Sequence, residues 1–261
     1  PKVEIAFVQS TSNAGHPVSD VHVDLLGDTS LDFTGELPLN KADVIFLCMG
    51  HGKSEAFVQH HDLPRGLKVI DLSHDFRLKR AGNDYVYGLP ELNRNAIAQA
   101  QKIANPGCFA TGIQLAFLPL ASRGLLTGEI HVQAITGSTG AGQKPTPTSH
   151  FSWRNNNLSA YKIFQHQHEG EILQSLKQLQ PEYNKPFHFI PVRGNHTRGI
   201  FVSGYTRFEG SLLEAAGLYE EYYAQHPFVI VTGKNPGLKQ VVNTNKAVIY
   251  LEKHDDKLVI I

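Results

Sequence analysis

Residues Asn105-Pro106-Gly107-Cys108-Phe109-Ala110-Thr111 set a cysteine on a Pro-Gly turn just ahead of an apolar stretch with helical spacing. Asn105 and Pro106 end an extended run, Gly107 allows a close backbone approach, and Thr111 to Leu120 is predicted to be helical. Cys108 then falls at or near a helix N-terminus, where unpaired N–H groups and the macrodipole lower a thiol pKa. The competing reading is a small buried hydrophobe, the usual fate of a free cysteine. A nucleophilic thiol needs a proton acceptor, and His166 and His168 are the candidates, with His168 preferred because it opens the next helix. As a metal half-site this His-x-His pair lacks a third and a fourth ligand at zinc spacing, so no metal is predicted. Arg193 and Arg198 flank a glycine-bearing link, and Arg154 lies in a polar aromatic segment. Each could pair bidentately with a carboxylate or phosphate, and each is equally readable as a surface residue. A cysteine with a histidine suits a hydrolase or an acyl transferase as well as a reductase, so the other half of the chain must decide.

That half reads as a parallel crossover unit. Val3 to Gln9 is predicted to be a strand ending in the polar loop Ser10-Thr11-Ser12-Asn13, and Ala42 to Met49 a strand buried on both faces, followed by Gly50-His51-Gly52. A helix over Lys53 to His61 and a strand over Lys68 to Leu72, ending in Ser73-His74-Asp75, complete a right-handed unit. Ligands of such sheets lie beyond the carboxyl ends of the strands, which makes Ser10, Ser12, Asn13, Gly50, Gly52 and Ser73 candidate cofactor contacts. A dinucleotide is the expected cofactor. The Ser10 to Asn13 loop has no carboxylate for a ribose 2'-hydroxyl and several donors for a 2'-phosphate, which favours NADP over NAD. Beyond the cysteine, Glu129 to Ile135 alternates as a half-exposed antiparallel strand does, and Gly137 to Lys144 is a loop of small residues. Helices from His168 to Leu179 and Ser211 to Tyr223, with strands at Phe187 to Pro191, Ile200 to Arg207, Val229 and Val248, give an antiparallel sheet with helices on one side.

Composition excludes several classes. The chain has 261 residues, 41% of them hydrophobic, enough for two domains with their own cores. Its 24 basic and 24 acidic side chains cancel without single-sign blocks, which argues against nucleic acid or an anionic membrane as partner. Two cysteines in strand-end and helix-start contexts fit a reducing, cytoplasmic setting better than a disulfide scaffold. No apolar run approaches the roughly 18 residues of a membrane span.

In order along the chain, Val69-Ile70-Asp71-Leu72-Ser73 with Asp75-Phe76-Arg77, Tyr87-Gly88-Leu89-Pro90-Glu91-Leu92, Asn105-Pro106-Gly107-Cys108, Gly137-Ser138-Thr139-Gly140-Ala141-Gly142, His166-Gln167-His168 with Glu171-Ile172, and Arg198-Gly199-Ile200 together resemble the N-acetyl-gamma-glutamyl-phosphate reductases of arginine biosynthesis. The resemblance implies a fold like that of glyceraldehyde-3-phosphate and aspartate-semialdehyde dehydrogenases: an α/β, Rossmann-type NADP-binding domain over residues 1–107 and an α+β catalytic and dimerisation domain over 108–261 with a mainly antiparallel sheet. It implies reductive dephosphorylation of an acyl phosphate through a thioester on Cys108, with His168 moving protons, hydride from NADPH, and inorganic phosphate released. Substrate contacts map onto Ser138, Arg198, His166 and Arg193, and Gly140 is expected near the cofactor. A homodimer or homotetramer through the catalytic-domain sheet is implied as well. Aspartyl or aminoadipyl phosphate remains an alternative substrate. Set against the family, the chain is expected to lack both termini, including the glycine-rich first turn, and so to bind NADP poorly as written. Gly170 replaces a usual proline, and the Arg193 to Arg198 link is longer than in many members.

Overall fold

A computed structural model describes residues 3–142 and 144–261. The first region begins with β1 (Val8–Gln9), α1 (Val18–Val21) and β2 (Phe33–Thr34), where β1 and β2 pair in parallel as a separate two-stranded sheet. The strand expected from Val3 is therefore confined to its last two residues, and Val3 and Ile5 are exposed, with no sheet neighbour among the described residues. Next come β3 (Val44–Leu47), α2 (Ser54–His60), β4 (Lys68–Asp71), β5 (Val86–Tyr87), α3 (Pro90–Gln99) and β6 (Lys102–Ala104). These strands form an all-parallel sheet in the order β3-β4-β6-β5. The expectation that β3 is covered on both faces is corrected: it is an edge strand, with Ile45 and Leu47 in a small core and Val44 and Phe46 exposed. Pro90 is the first residue of α3, where its fixed φ suits a first turn that needs no N–H, and Asn93 kinks the helix with non-helical φ and ψ.

The second region contains α4 (Cys108–Ser122), β7 (Ile130–Thr136), α5 (Phe151–Arg154), β8 (Ser159–Ala160), α6 (His168–Leu179), β9 (Phe187–Arg193), β10 (Ile200–Arg207), α7 (Leu212–Tyr223), β11 (Val229–Thr232), β12 (Ala247–His254) and β13 (Lys257–Ile260). Its seven-stranded sheet runs β11-β12-β13-β10-β7-β9-β8. Four of the pairings are antiparallel, while β7–β9 and β11–β12 are parallel. β7 thus faces an antiparallel neighbour on one side only, a distinction that side-chain alternation cannot encode because both pairings share its period.

The core lies between this sheet and α4, α6 and α7, and α4 is buried along nearly its whole length. An interior proline interrupts α4, since Pro119 has no N–H to offer the carbonyl four residues earlier. Tyr223 of α7 supplies the missing donor, its hydroxyl reaching Leu115 O at 2.5 Å, and Tyr219 donates to Ala116 O at 2.5 Å. Ser211 and Glu214 form a reciprocal capping box that fixes where α7 begins, and so the phase at which both tyrosines meet α4. Tyr223→Phe should leave Leu115 O buried without a donor and lower unfolding free energy by about 1–3 kcal/mol, measured by denaturant melts. An unchanged midpoint would mean that the α4 carbonyl needs no such partner.

Candidate active site

Asn105-Pro106-Gly107 leads from β6 into α4 with Cys108 as the first helical residue, and Gly107 is the N-cap. No side chain of the turn caps the helix; the Gly107 N–H instead donates to Glu171 Oε2 of α6 at 2.9 Å. Glu171 is almost wholly buried, and both of its oxygens accept hydrogen bonds. Oε2 also accepts from the Tyr87 hydroxyl at 2.9 Å, and Oε1 pairs with Arg77 Nη1 at 3.0 Å. Arg77 donates further to Asn105 O at 2.8 Å and Leu72 O at 3.1 Å, and Gln114 of α4 donates to the Tyr87 hydroxyl at 2.8 Å. One carboxylate thereby ties the end of β4, the end of β5, the cysteine turn and α6 together.

His168 and Glu171 are three residues apart and share one face of α6. The imidazole of His168 lies against Gly107, so that a methyl group built there would sit 2.3 Å from His168 Nε2. Only glycine at that position lets the ring lie beside the residue that precedes Cys108. The nearest carboxylate oxygen to Nε2 is Glu171 Oε1 at 3.9 Å, and Nδ1 is buried with no partner among the described residues. His166 packs edge-on against Phe109, Phe189, Tyr161 and His168, and its Nδ1 accepts the His168 backbone N–H at 3.2 Å. The two histidines are therefore adjacent.

Electrostatics differ from the sequence expectation. Cys108 keeps an exposed edge toward solvent, but protein crowds the thiol elsewhere, and this desolvation raises its pKa above the ordinary thiol range. The N–H groups of Phe109 and Cys108 and the charge of Arg77 pull it down, and Glu171 pushes it up. Burial wins over the helix end. Burial also depresses His168 and His166 to about 4, reinforced at His168 by Arg77 and at His166 by His168. At neutral pH the pair is a neutral thiol beside a neutral imidazole, which suits a general base that takes the proton as the thiol attacks.

Other predicted contacts are distributed as follows. Ser10, Ser12 and Asn13 form a loop after β1, where the Ser10 hydroxyl accepts from the Asn13 backbone and side chain and Ser12 is exposed. Gly50 and Gly52 adopt positive φ with open space above them. The Gly52, Ser54 and Glu55 N–H groups at the start of α2 all donate to Asp75, at 2.7, 3.0 and 3.2 Å, so this helix end is already capped by a carboxylate. Ser73 is buried, donates to Asp71 at 2.7 Å and accepts from the Asp75 N–H at 3.0 Å. Two residues past the end of β4, its side chain is spent on Asp71 and on the Asp75 N–H.

Ser138 is half-buried in a short 3-10 turn after β7, with its N–H donated to His196 O, and Gly140 of the same turn packs against Thr136, where a Cβ would meet Oγ1 at 2.8 Å. Arg198 is exposed beside a groove lined by His196, Leu238 and Gln240. Arg193 lies at the end of β9 over the Tyr161 ring at 4.6 Å and donates to Thr148 Oγ1 at 3.0 Å, while its buried Nε has no partner among the described residues. Burial pushes the Tyr161 hydroxyl pKa up, against the opposing pull of the Arg193 charge. Arg154 is buried and spends its donors on Thr148 O, Arg193 O and Ser159, which makes it a brace for the 148–160 segment. Sequence reasoning missed Arg77, Tyr87, Gln114 and Glu171 as site residues; the His-x-x-Glu spacing on α6 was the available signal.

Sequence profiles of the semialdehyde dehydrogenase NAD-binding domain and dimerisation domain match residues 1–100 and 108–261. N-acetyl-gamma-glutamyl-phosphate reductases of Parabacteroides distasonis and Bacteroides thetaiotaomicron are each 56% identical over 261 residues, covering all of this chain and 81% of theirs. That of Flavobacterium johnsoniae is 52% identical over 264 residues, with the same coverage. Among solved structures, aspartate semialdehyde dehydrogenase II of Vibrio cholerae superposes with a TM-score of 0.67 at 14% identity over 97% of this chain and 82% of that one. Aspartate semialdehyde dehydrogenase with NADP from Candida albicans gives 0.67 at 14% over 100% and 86%, a likeness of fold.

Two outcomes are expected. Alkylation of Cys108 by iodoacetamide should rise with pH through an inflection above the ordinary thiol pKa, and an inflection below neutrality would overturn the neutral-pair assignment. Glu171→Gln should strand the Arg77 charge and cost about 3–5 kcal/mol of stability, part of it restored when Arg77→Met is added, as a double-mutant cycle would read.

Proposed function

Since the chain belongs to the N-acetyl-gamma-glutamyl-phosphate reductase family, we propose that it serves reductive dephosphorylation of N-acetyl-gamma-glutamyl phosphate to the corresponding semialdehyde. The observation that carries this reading is the His168 imidazole lying across Gly107, next to a cysteine at the start of a buried helix. The Cys108 sulfur attacks the γ-carbonyl while its proton passes to the neutral imidazole of His168. The protonated His168 is destabilised by burial and by Arg77, so it returns the proton readily in the later collapse to the aldehyde. The N–H groups at the start of α4 face the same region and favour the oxyanion formed during attack. Phosphate leaves and a thioester remains on Cys108.

A nicotinamide dinucleotide, when bound, supplies the hydride that reduces this thioester. Open space above Gly50 and Gly52 fits close approach of such a group. NADP is favoured because Thr11 and Ser12 present exposed hydroxyls in a loop without a carboxylate, and Gly140 stays a candidate contact on the catalytic side. Asp75 takes the N–H groups of α2, so pyrophosphate is not held at that helix end. For the substrate anion, Arg193 is preferred to Arg198, because its guanidinium is held over the Tyr161 ring and its buried Nε has no partner among the described residues. Ser138 and His166 remain the other candidate contacts. The semialdehyde dehydrogenase dimerisation profile over residues 108–261 supports a homo-oligomer, and two free cysteines suit a reducing cytoplasm.

Assayed in reverse, with the semialdehyde, inorganic phosphate and NADP, the protein should form NADPH, and Cys108→Ala should reduce the rate to background with the far-UV spectrum unchanged. Turnover near the parent level in that variant would defeat the proposal. Thioester formation without any nicotinamide oxidation or reduction would point instead to an acyl transferase or hydrolase.

A further inference from the structure

Two imidazoles stand at the carboxyl ends of β3 and β4, and the proposed reaction gives neither of them a role. These strands pair in parallel with Leu47 opposite Asp71, so His51 and His74, a few residues farther along each, emerge side by side. Their rings stack at 4.4 Å with 24° between the planes. The His74 backbone N–H donates to His51 Nδ1 at 3.2 Å. From this arrangement we infer that His51 is a cofactor-binding residue, donating its Nε2–H to an oxygen on the nicotinamide half of the dinucleotide. The inference rests on the reading above that the chain binds such a group.

The hydrogen bond from His74 decides which ring nitrogen carries the proton. A nitrogen that accepts a backbone N–H is bare, so the proton of a neutral His51 sits on Nε2. Burial, and then the charges of His74 and Arg77, hold this imidazole below the ordinary histidine range, which keeps it uncharged at neutral pH. Both loops that carry the pair are braced by one carboxylate. Asp75 accepts the N–H groups of Gly52, Ser54 and Glu55, accepts nothing from water-exposed chain ends, and lies 3.5 Å from His74 Nε2. The His51 ring is therefore oriented before any ligand arrives, while the residue itself is exposed and its Nε2 bonds to no described residue.

The cysteine indicates which half of the cofactor this donor meets. Arg77 donates to both Leu72 O and Asn105 O, and the Asn105 N–H donates to Asp71 O at 2.8 Å, so the end of β4 adjoins the turn before Cys108. Hydride has to reach a thioester on that cysteine, and His74 follows Leu72 by two positions with His51 stacked on it. The hydroxyls favoured for the 2'-phosphate lie instead in the loop after β1, a strand of the separate two-stranded sheet. Gly50 and Gly52 flank His51 with positive φ, and a Cβ built on either would meet nothing within 4 Å, so the approach to the ring is open. The ribose hydroxyls and the carboxamide oxygen of the nicotinamide half are uncharged acceptors, which a neutral N–H suits.

Long-range 1H–15N spectra of the full chain without cofactor should show His51 as the Nε2–H tautomer, and saturation with NADP+ should shift its Nε2 resonance. In calorimetric titrations, His51→Ala should raise the Kd for NADP+ by about 3- to 10-fold, the worth of one hydrogen bond between neutral groups. Adenosine 2',5'-bisphosphate, which carries the adenosine half alone, should bind that variant as it binds the parent. His51→Gln, whose amide N–H can replace the Nε2 donor, should recover most of the loss. An Nδ1–H tautomer, an Nε2 resonance unmoved at saturation, an unchanged Kd for NADP+ in His51→Ala, or equal weakening of both ligands would each overturn the assignment. A parent chain that fails to bind NADP+ at all would defeat the dinucleotide reading and this assignment with it, whereas normal binding that ignores His51 defeats this assignment alone. The spectra need no variant, so misfolding of His51→Ala would not protect the proposal.

Discussion

The ion pair between Arg77 and Glu171 is the constraint on which the rest of this molecule depends. With side chains 5% and 3% exposed, both ions have lost their water, and the cost of several kcal/mol per ion is offset only if every lone pair and N–H finds a partner. Beyond their mutual contact, the guanidinium donates to two carbonyls and the carboxylate accepts from a phenol and a backbone N–H. Each of those partners is itself the end of a structural element. The strand ends of the parallel sheet and the first turn of α4 are therefore held in register with α6 by charge satisfaction, not by apolar contact alone. A packed hydrophobic substitute of the same volume could match the stability but would leave the Gly107 N–H and the Tyr87 hydroxyl without acceptors.

Placement of Cys108 and His168, the pair proposed for catalysis, follows from this anchor. Glu171 fixes the rotation of α6, and the residue one turn back on the same face is His168. Its ring is driven against Gly107, where a side chain has no space. The same packing decides the protonation state. A helix terminus contributes about 0.3–1 kcal/mol to an adjacent charge, less than one pKa unit, whereas burial can shift a group by several. Desolvation therefore dominates at Cys108 and at His168 alike, driving the thiol up and the imidazole down. A thiol pushed up in this way favours the neutral form before attack, so that proton transfer accompanies bond formation.

Much of this was legible in the sequence, for identifiable reasons. The Pro-Gly-Cys turn, the helix opened by His168 and the capping box of α7 are local signals, and each element starts within a few residues of where its signal lies. Features that depend on distant partners were not legible. The burial of Ser73, the exposed face of β3 and the parallel pairing of β7 with β9 are set by neighbours that no window of residues contains. Arg77 and Glu171 are 94 positions apart, and composition treats them as two ordinary surface charges. The direction of the thiol shift was misjudged because the helix end is visible in sequence, while the protein mass around the sulfur is not.

The arginines show how much a fold can resolve that charge counting cannot. Arg154, Arg193 and Arg198 are equivalent as formal cations near the second half of the site, yet their donors are committed to different degrees. Arg154 gives its N–H groups to backbone carbonyls and Ser159, so an incoming anion would have to break those bonds first. Arg198 is exposed, and an ion pair at an exposed position is worth about 0–1 kcal/mol. Arg193 is held in place by Tyr161 and Thr148, yet its buried Nε–H has no acceptor among the described residues. A preorganised guanidinium with an unsatisfied donor gains more from a carboxylate or phosphate than either neighbour does, because the anion removes a desolvation cost that the fold already carries.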